Sequence, residues 1–96
     1  MAVPTWFVYI VRCADRTLYT GVAIDVRARV QAHNAGKGAR YTRARLPVRL
    51  VYREPVESRS AALKREYAIK QLRLDEKRKL IRRRRQSAVV TIAELE

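Results

Sequence analysis

The sequence predicts an α+β domain, and three observations carry that prediction. Two apolar, β-favouring runs near the N-terminus are joined by a short polar stretch. A third strand-like run follows Pro47. Three further segments carry helix caps or apolar residues at helical spacing. At 96 residues and 48% hydrophobic content, the chain suits one domain with a modest core and is too apolar to be disordered.

In chain order, residues 1–5 are a short lead that Pro4 keeps irregular. Strand one is expected at about 6–12, from the run Trp6-Phe7-Val8-Tyr9-Ile10-Val11. Strand two is expected at about 18–23, with Leu18-Tyr19-Thr20-Gly21-Val22 at its centre. The polar Arg12–Thr17 stretch between them makes an antiparallel hairpin. Partners in a hairpin have residue numbers that sum to a constant. If Cys13 pairs with Thr17 across a three-residue loop, Tyr9 lies opposite Gly21 and Tyr19 shares the face of Tyr9. A two-residue loop would put the two phenols on opposite faces. Gly21 then marks a point where a ligand backbone could approach.

Asp25 is a good N-cap for a helix from Val26 to Ala35, and Gly36 is its natural stop. Residues 36–46 hold two of the three glycines, no acid, and Lys37, Arg40, Arg43 and Arg45 beside Tyr41. That composition fits a flexible loop that grips phosphates. Val48–Arg53 reads as a strand, closed by Pro55. Ser58 or Ser60 caps a second helix from Arg59 to about Leu72, with Ala62, Leu63, Tyr67, Ile69 and Leu72 as its apolar positions. A third helix, capped near Asp75, places Leu80 and Ile81 inward and ends in Arg82–Arg85, a DNA-tracking end. One domain over 1–84 and a C-terminal tail over 85–96 result. The apolar run Ala88–Ile92 in the tail leaves open an extra strand or a loose end.

The charge balance selects a partner class. There are 22 Lys and Arg against 9 Asp and Glu, a net charge of +13. Seventeen of the 22 are Arg, the side chain best shaped for bidentate contact with phosphate oxygens. Nucleic acid is the expected partner. No apolar run is long enough to span a bilayer, so no membrane partner is expected. The N-terminus shows no basic region ahead of an apolar core. Cys13 is the lone cysteine, so neither a disulfide nor a cysteine–histidine zinc site is expected, and it reads as a small buried hydrophobe. A cytoplasmic location follows as the expectation.

Arg29 and His33 stand four apart on the first helix and share a face. With that face toward Gly21, two phenols, a guanidinium and an imidazole would converge. Glu66, midway along the second helix, could add a carboxylate. The ordered set Val8-Tyr9-Ile10, Tyr19-Thr20-Gly21, Arg29-x-x-x-His33 and Glu66 resembles the GIY-YIG nuclease family. The segments Ala32–Thr42 and Leu46–Tyr52 resemble its small stand-alone, YhbQ-like branch, and the similarity covers about residues 5–82.

The resemblance implies a three-stranded antiparallel sheet flanked by helices, and phosphodiester hydrolysis with one divalent metal, Mg²⁺ or Mn²⁺. Carried over by position, Glu66 is the metal ligand and Arg29 binds the scissile phosphate. Tyr9, Tyr19 and His33 position or deprotonate the attacking water. Arg29, the metal and His33 are expected to favour a phenolate. Gly21, Lys37, Arg40, Tyr41, Arg43 and Arg45 are the expected nucleic-acid contacts. The chain departs from the family pattern at Val8, Thr20 and Val22, the last where the excision-repair branch usually carries a lysine. The asparagine that the homing-endonuclease branch carries after the glutamate has no match after Glu66. The function expected is a DNA endonuclease, favouring single-stranded or branched DNA in repair or recombination. A catalytically weak or inactive nucleic-acid-binding module of the same fold is the alternative. RNA stays open as a partner, and no protein partner is indicated.

Overall fold

The most apolar run of the chain becomes the middle strand of the sheet. The structure, a computed structural model, describes residues 4–95, with side chains described for residues 4–84. Strand β1 (Trp6–Arg12) pairs antiparallel with β2 (Leu18–Ala23) on one side and with β3 (Arg49–Val56) on the other. Val8, Tyr9, Ile10 and Val11 are each at most 2% exposed. A strand covered on both faces has no polar face to alternate with, hence the unbroken apolar run.

One face carries α1 (Val26–Asn34), which packs over a cluster that includes Tyr9, Val11, Cys13, Val26 and Val48. The other face carries α3 (Arg59–Lys70) and α4 (Leu74–Leu95), over Val8, Ile10, Tyr52, Ala62, Ile69 and Ile81. A four-residue helix, α2 (Arg40–Arg43), lies in the segment between α1 and β3. Cys13 is buried, as its sequence context suggests.

The hairpin has the odd-length loop. Tyr9 pairs with Gly21 and Val11 with Tyr19. The Cys13 N–H donates to the Thr17 carbonyl at 2.9 Å, and Arg16 sits at φ 70°. A three-residue loop that ends in a left-handed residue is a standard way to close such a hairpin.

Asp25 caps α1 through Ala28 N–H at 3.0 Å, and Gly36 follows the helix at φ 76°. Ser58, not Ser60, caps α3, accepting from Ala61 N–H at 3.1 Å. Four expectations shift. Strand β3 runs through Pro55 instead of stopping there. It is an edge strand, where a missing N–H can face solvent. It also bulges at Val51, because Ile10 pairs with Tyr52 while Val11 pairs with Leu50. Tyr67 of α3 is 67% exposed rather than part of the core. Helix α4 starts at Leu74 and is capped by Glu76, which accepts from the Arg73 N–H at 2.9 Å, so Asp75 is a first-turn acid and not the cap. The backbone of α4 continues past Arg85 to Leu95. The packing of the Ala88–Ile92 run lies outside the described side chains.

Candidate active site at an edge of the sheet

Strand β2 is an edge, so helices on the two faces can both reach it. There a cleft of about 330 Å³ is lined by Tyr9, Tyr19 and Gly21 of the hairpin, Arg29 and His33 of α1, and Glu66 of α3. Lys37 and Gly38, from the turn after α1, also line it. All five residues expected to be catalytic therefore face one cavity. Four elements supply them, and three of these (β1, β2 and α1) bury the surrounding apolar cluster.

The deepest part is a hydrogen-bonded chain. Tyr9 Oη lies 2.9 Å from His33 Nε2, and His33 Nδ1 lies 2.8 Å from Thr42 Oγ1. The Thr42 hydroxyl donates to the Ala39 carbonyl at 2.9 Å. A hydroxyl has one proton, so Thr42 accepts from His33 Nδ1–H at the shorter distance, and the Ala39 N–H, 3.4 Å from Nδ1, is the weaker competitor for that nitrogen. That assignment leaves the Nε2 lone pair facing the Tyr9 O–H. His33 is 1% exposed and Thr42 fully buried. Burial, with the charge of Arg29, pushes the His33 pKa below its ordinary value, which keeps the ring neutral and able to accept.

Tyr9 is held away from its ordinary titration. Burial first, then the neighbouring Tyr19, push its pKa up to about 12, and Arg29 opposes this only in part. The phenol is held protonated by its own packing. The role of Gly21 changes. A Cβ there would lie 2.5 Å from Tyr9 Oη, so the space over Gly21 belongs to the phenol and not to an approaching ligand backbone.

The outer wall is aromatic. Tyr19 meets His33 edge-on, ring centroids 5.5 Å apart, and stacks with Tyr41 at 6.0 Å. Arg45 covers the far side of Tyr41, its Cζ 3.9 Å from the ring centroid. Arg45 also bonds Asp15 at 3.0 Å and the Tyr41 carbonyl at 2.9 Å. The basic segment is therefore not a free loop. The hairpin turn holds it at Arg45, and Asn34 holds it at Val48 through paired bonds of 2.7 and 3.0 Å. Lys37 reaches the cleft. Arg40 and Arg43 are exposed on α2, outside its lining.

Composition hid three of these residues. Thr42 and Gly38 sat in a segment read for its charge, yet Thr42 orients His33, and a Cβ on Gly38 would collide with the His33 ring. Asp15 lies in the polar connection of the hairpin, and it also anchors Arg45.

The donor set fits a hard cation. Among the described residues no group of three or more His, Cys, Asp or Glu side chains comes together. Among the described residues Glu66 is the only carboxylate lining the cleft, beside phenol oxygens. Mg²⁺ binds through one or two carboxylates and keeps several waters, and oxygen donors suit Mn²⁺ too. Lys70 Nζ lies 3.5 Å from Glu66 Oε2 and competes for the same oxygen.

Comparison with known proteins supplies independent testimony. The GIY-YIG catalytic domain family matches residues 5–79. The UPF0213 protein DP2720 of Desulfotalea psychrophila is 60% identical over 80 residues, which cover 82% of this chain and 73% of that protein. A UPF0213 protein of Staphylococcus aureus is 58% identical over 78 residues, covering 81% and 95%. The solution NMR structure of the UPF0213 protein BH0048 from Bacillus halodurans aligns with a TM-score of 0.52 at 42% identity, covering 80% of this chain and 82% of that one. The described residues contain no helix long and apolar enough to cross a membrane.

Proposed function

The chain belongs to the GIY-YIG family, and from that premise we propose that it is a divalent-metal-dependent endonuclease hydrolysing phosphodiester bonds in DNA. The observation that carries the reading is the single cleft lined by Tyr9, Tyr19, Arg29, His33 and Glu66. Single-stranded or branched DNA is the preferred substrate in this reading. The basic segment around the partly exposed Tyr41 supports that preference, since it suits a flexible phosphate backbone.

Arg29 binds the scissile phosphate and offsets the charge that grows on its oxygens in the transition state. Glu66 holds the divalent cation, Mg²⁺ or Mn²⁺, which when bound polarises the phosphoryl group and the leaving oxygen. Tyr19 shapes the wall against which the strand lies.

Burial and the neighbouring Tyr19 push the Tyr9 pKa up to about 12, so the phenol keeps its proton until one can leave through the contact to His33. As the attacking water gives a proton to Tyr9 Oη, the phenol hydrogen moves to His33 Nε2. The water oxygen bonds to phosphorus, the P–O bond on the opposite side breaks, and the leaving oxygen takes a proton from solvent. The proton rests on the imidazole, and Thr42 keeps the ring in the accepting tautomer.

The Lys70–Glu66 pair and Val22 in the cleft lining favour a second reading, a nucleic-acid-binding module with little turnover. Cleavage of end-labelled single-stranded and double-stranded DNA, with Mg²⁺, Mn²⁺ or EDTA, separates the two. Metal-dependent products that vanish in Glu66→Ala and Arg29→Ala support the endonuclease. Binding without cleavage on any substrate, unweakened by Glu66→Ala, supports the module.

A further inference from the structure

A second cleft, of about 310 Å³, opens on the α3/α4 side of the sheet, at the hairpin end. Four arginines rim it: Arg12 and Arg16 from the hairpin, Arg78 and Arg82 from α4. Its floor is apolar, made by Leu18, Val51 and Ile81, and no acid among the described residues lines it. All four arginines are exposed, and among the described residues none has a carboxylate within 4.0 Å. Arg45, Arg65 and Arg73 each pair with an acid elsewhere.

Two features of the backbone build this site. Arg16 occupies the left-handed position of the turn, at φ 70°. Glycine takes that position without strain, whereas a larger residue there is strained. The Val51 bulge turns Val51 toward the same core as Tyr52, which puts it in the floor. Leu18 of the floor is the sequence neighbour of Tyr19 in the active-site wall. Asp15, which holds the Arg45–Tyr41 part of that wall, is the neighbour of Arg16. The hairpin end thus borders both clefts.

We propose that the arginine cleft is a second nucleic-acid contact, which takes the backbone of single-stranded DNA as it passes round the hairpin end from the active site. Guanidinium groups suit phosphate oxygens, and their planes stack on bases. The apolar floor suits a base that has left its stack. A duplex keeps its bases stacked and covered, so it offers none to this floor. The choice of DNA rests on the endonuclease reading, whereas the site itself rests on its charge and shape.

The test is fluorescence anisotropy of labelled dT16 in EDTA at about 0.1 M salt, on the full chain, where no turnover is required. Arg16→Glu/Arg78→Glu is compared with Arg27→Glu/Arg53→Glu, the same charge change outside both clefts. Arg12→Ala/Arg82→Ala is a milder second variant that guards against a folding defect in the first. At this salt, charges separated by more than about 10 Å are largely screened. The first pair is expected to weaken binding tenfold or more, and the control pair less than threefold. Arg12→Ala/Arg82→Ala should reduce the slope of log affinity against log salt by about 1.4, two phosphate contacts at about 0.7 each. Equal losses in the two charge-reversal pairs, or none in either cleft pair, overturn the site. An RNA 16-mer that displaces the probe at a tenth of the concentration unlabelled dT16 needs overturns the choice of DNA. Absence of cleavage by wild type would count against the endonuclease and leave these binding differences standing.

Discussion

The two clefts are built on opposite principles. At the β2 edge the buried polar groups have fixed partners: Tyr9 with His33, His33 with Thr42, Thr42 with Ala39. Beside α4, exposed guanidinium groups stand over an apolar floor, without a carboxylate partner among the described residues. In the first, position does the work, so one wrong atom is costly. In the second, charge does the work, and arginines substitute for one another in part. Single substitutions should therefore separate the two clefts by orders of magnitude.

The largest effects are expected at the first cleft. Arg29→Ala should lower the cleavage rate at least 100-fold, on the scale of removing a group that stabilises transition-state charge. Glu66→Ala should lower it at least as far without weakening DNA binding, since it removes a negative charge. A loss of less than tenfold in either variant would erase the contrast between the clefts.

Thr42→Val comes next. It leaves His33 Nδ1 without its partner and frees the ring to take the other tautomer. A 10- to 100-fold loss of cleavage rate and about 1–3 kcal/mol of stability are expected. Thr42→Ser, which keeps the hydroxyl, should restore most of the rate. If valine and serine variants cleave alike, the hydroxyl does not orient His33.

The pH response follows from the same groups. The folded pKa of His33 lies below its unfolded value, so His33 favours folding above about pH 6.5. That contribution is lost as pH falls through the folded pKa. The rate should fall with it, since a protonated His33 cannot accept from Tyr9. For Tyr9 the sign reverses: its contribution is complete below about pH 10 and is lost as pH rises toward about 12. Burial raises the Tyr52 pKa as well, so absorbance titration of phenolate should show more than one late-ionising tyrosine, and Tyr9→Phe should remove the one near pH 12. Titration of Tyr9 near pH 10 would remove the packing account.

Asp15→Asn should do least. Its pair with Arg45 is exposed, and such pairs are worth about 0–1 kcal/mol. Chemical denaturation should show a change in that range. A larger loss would mean that the turn anchors the aromatic wall more strongly than its exposure suggests.

Legibility followed how local each cause was. The hairpin register was readable because one loop length decides which face every side chain takes. Caps at Asp25 and Ser58 were readable because a cap is a contact across three residues. Thr42 was not, since its function is a bond to His33, nine residues away, through a helix that charge composition concealed. Pro55 misled because its meaning depends on whether β3 is an edge, and strand order is a property of the whole sheet. The Tyr9 pKa depends on what buries the ring, and that burial is made by residues distant in the sequence.

The continuation of β3 through Pro55 has a consequence for the protein in company. A three-stranded sheet has two open edges, and an open edge can template the strand of another copy. The β2 edge is occupied by the active-site cleft, with helices reaching it from both faces. The β3 edge has Pro55, which offers no N–H to a neighbour. At +13 the chains also repel one another, until a polyanion neutralises them. Then, on a crowded nucleic acid, the missing hydrogen of Pro55 still stands between neighbouring copies and a continuous intermolecular sheet.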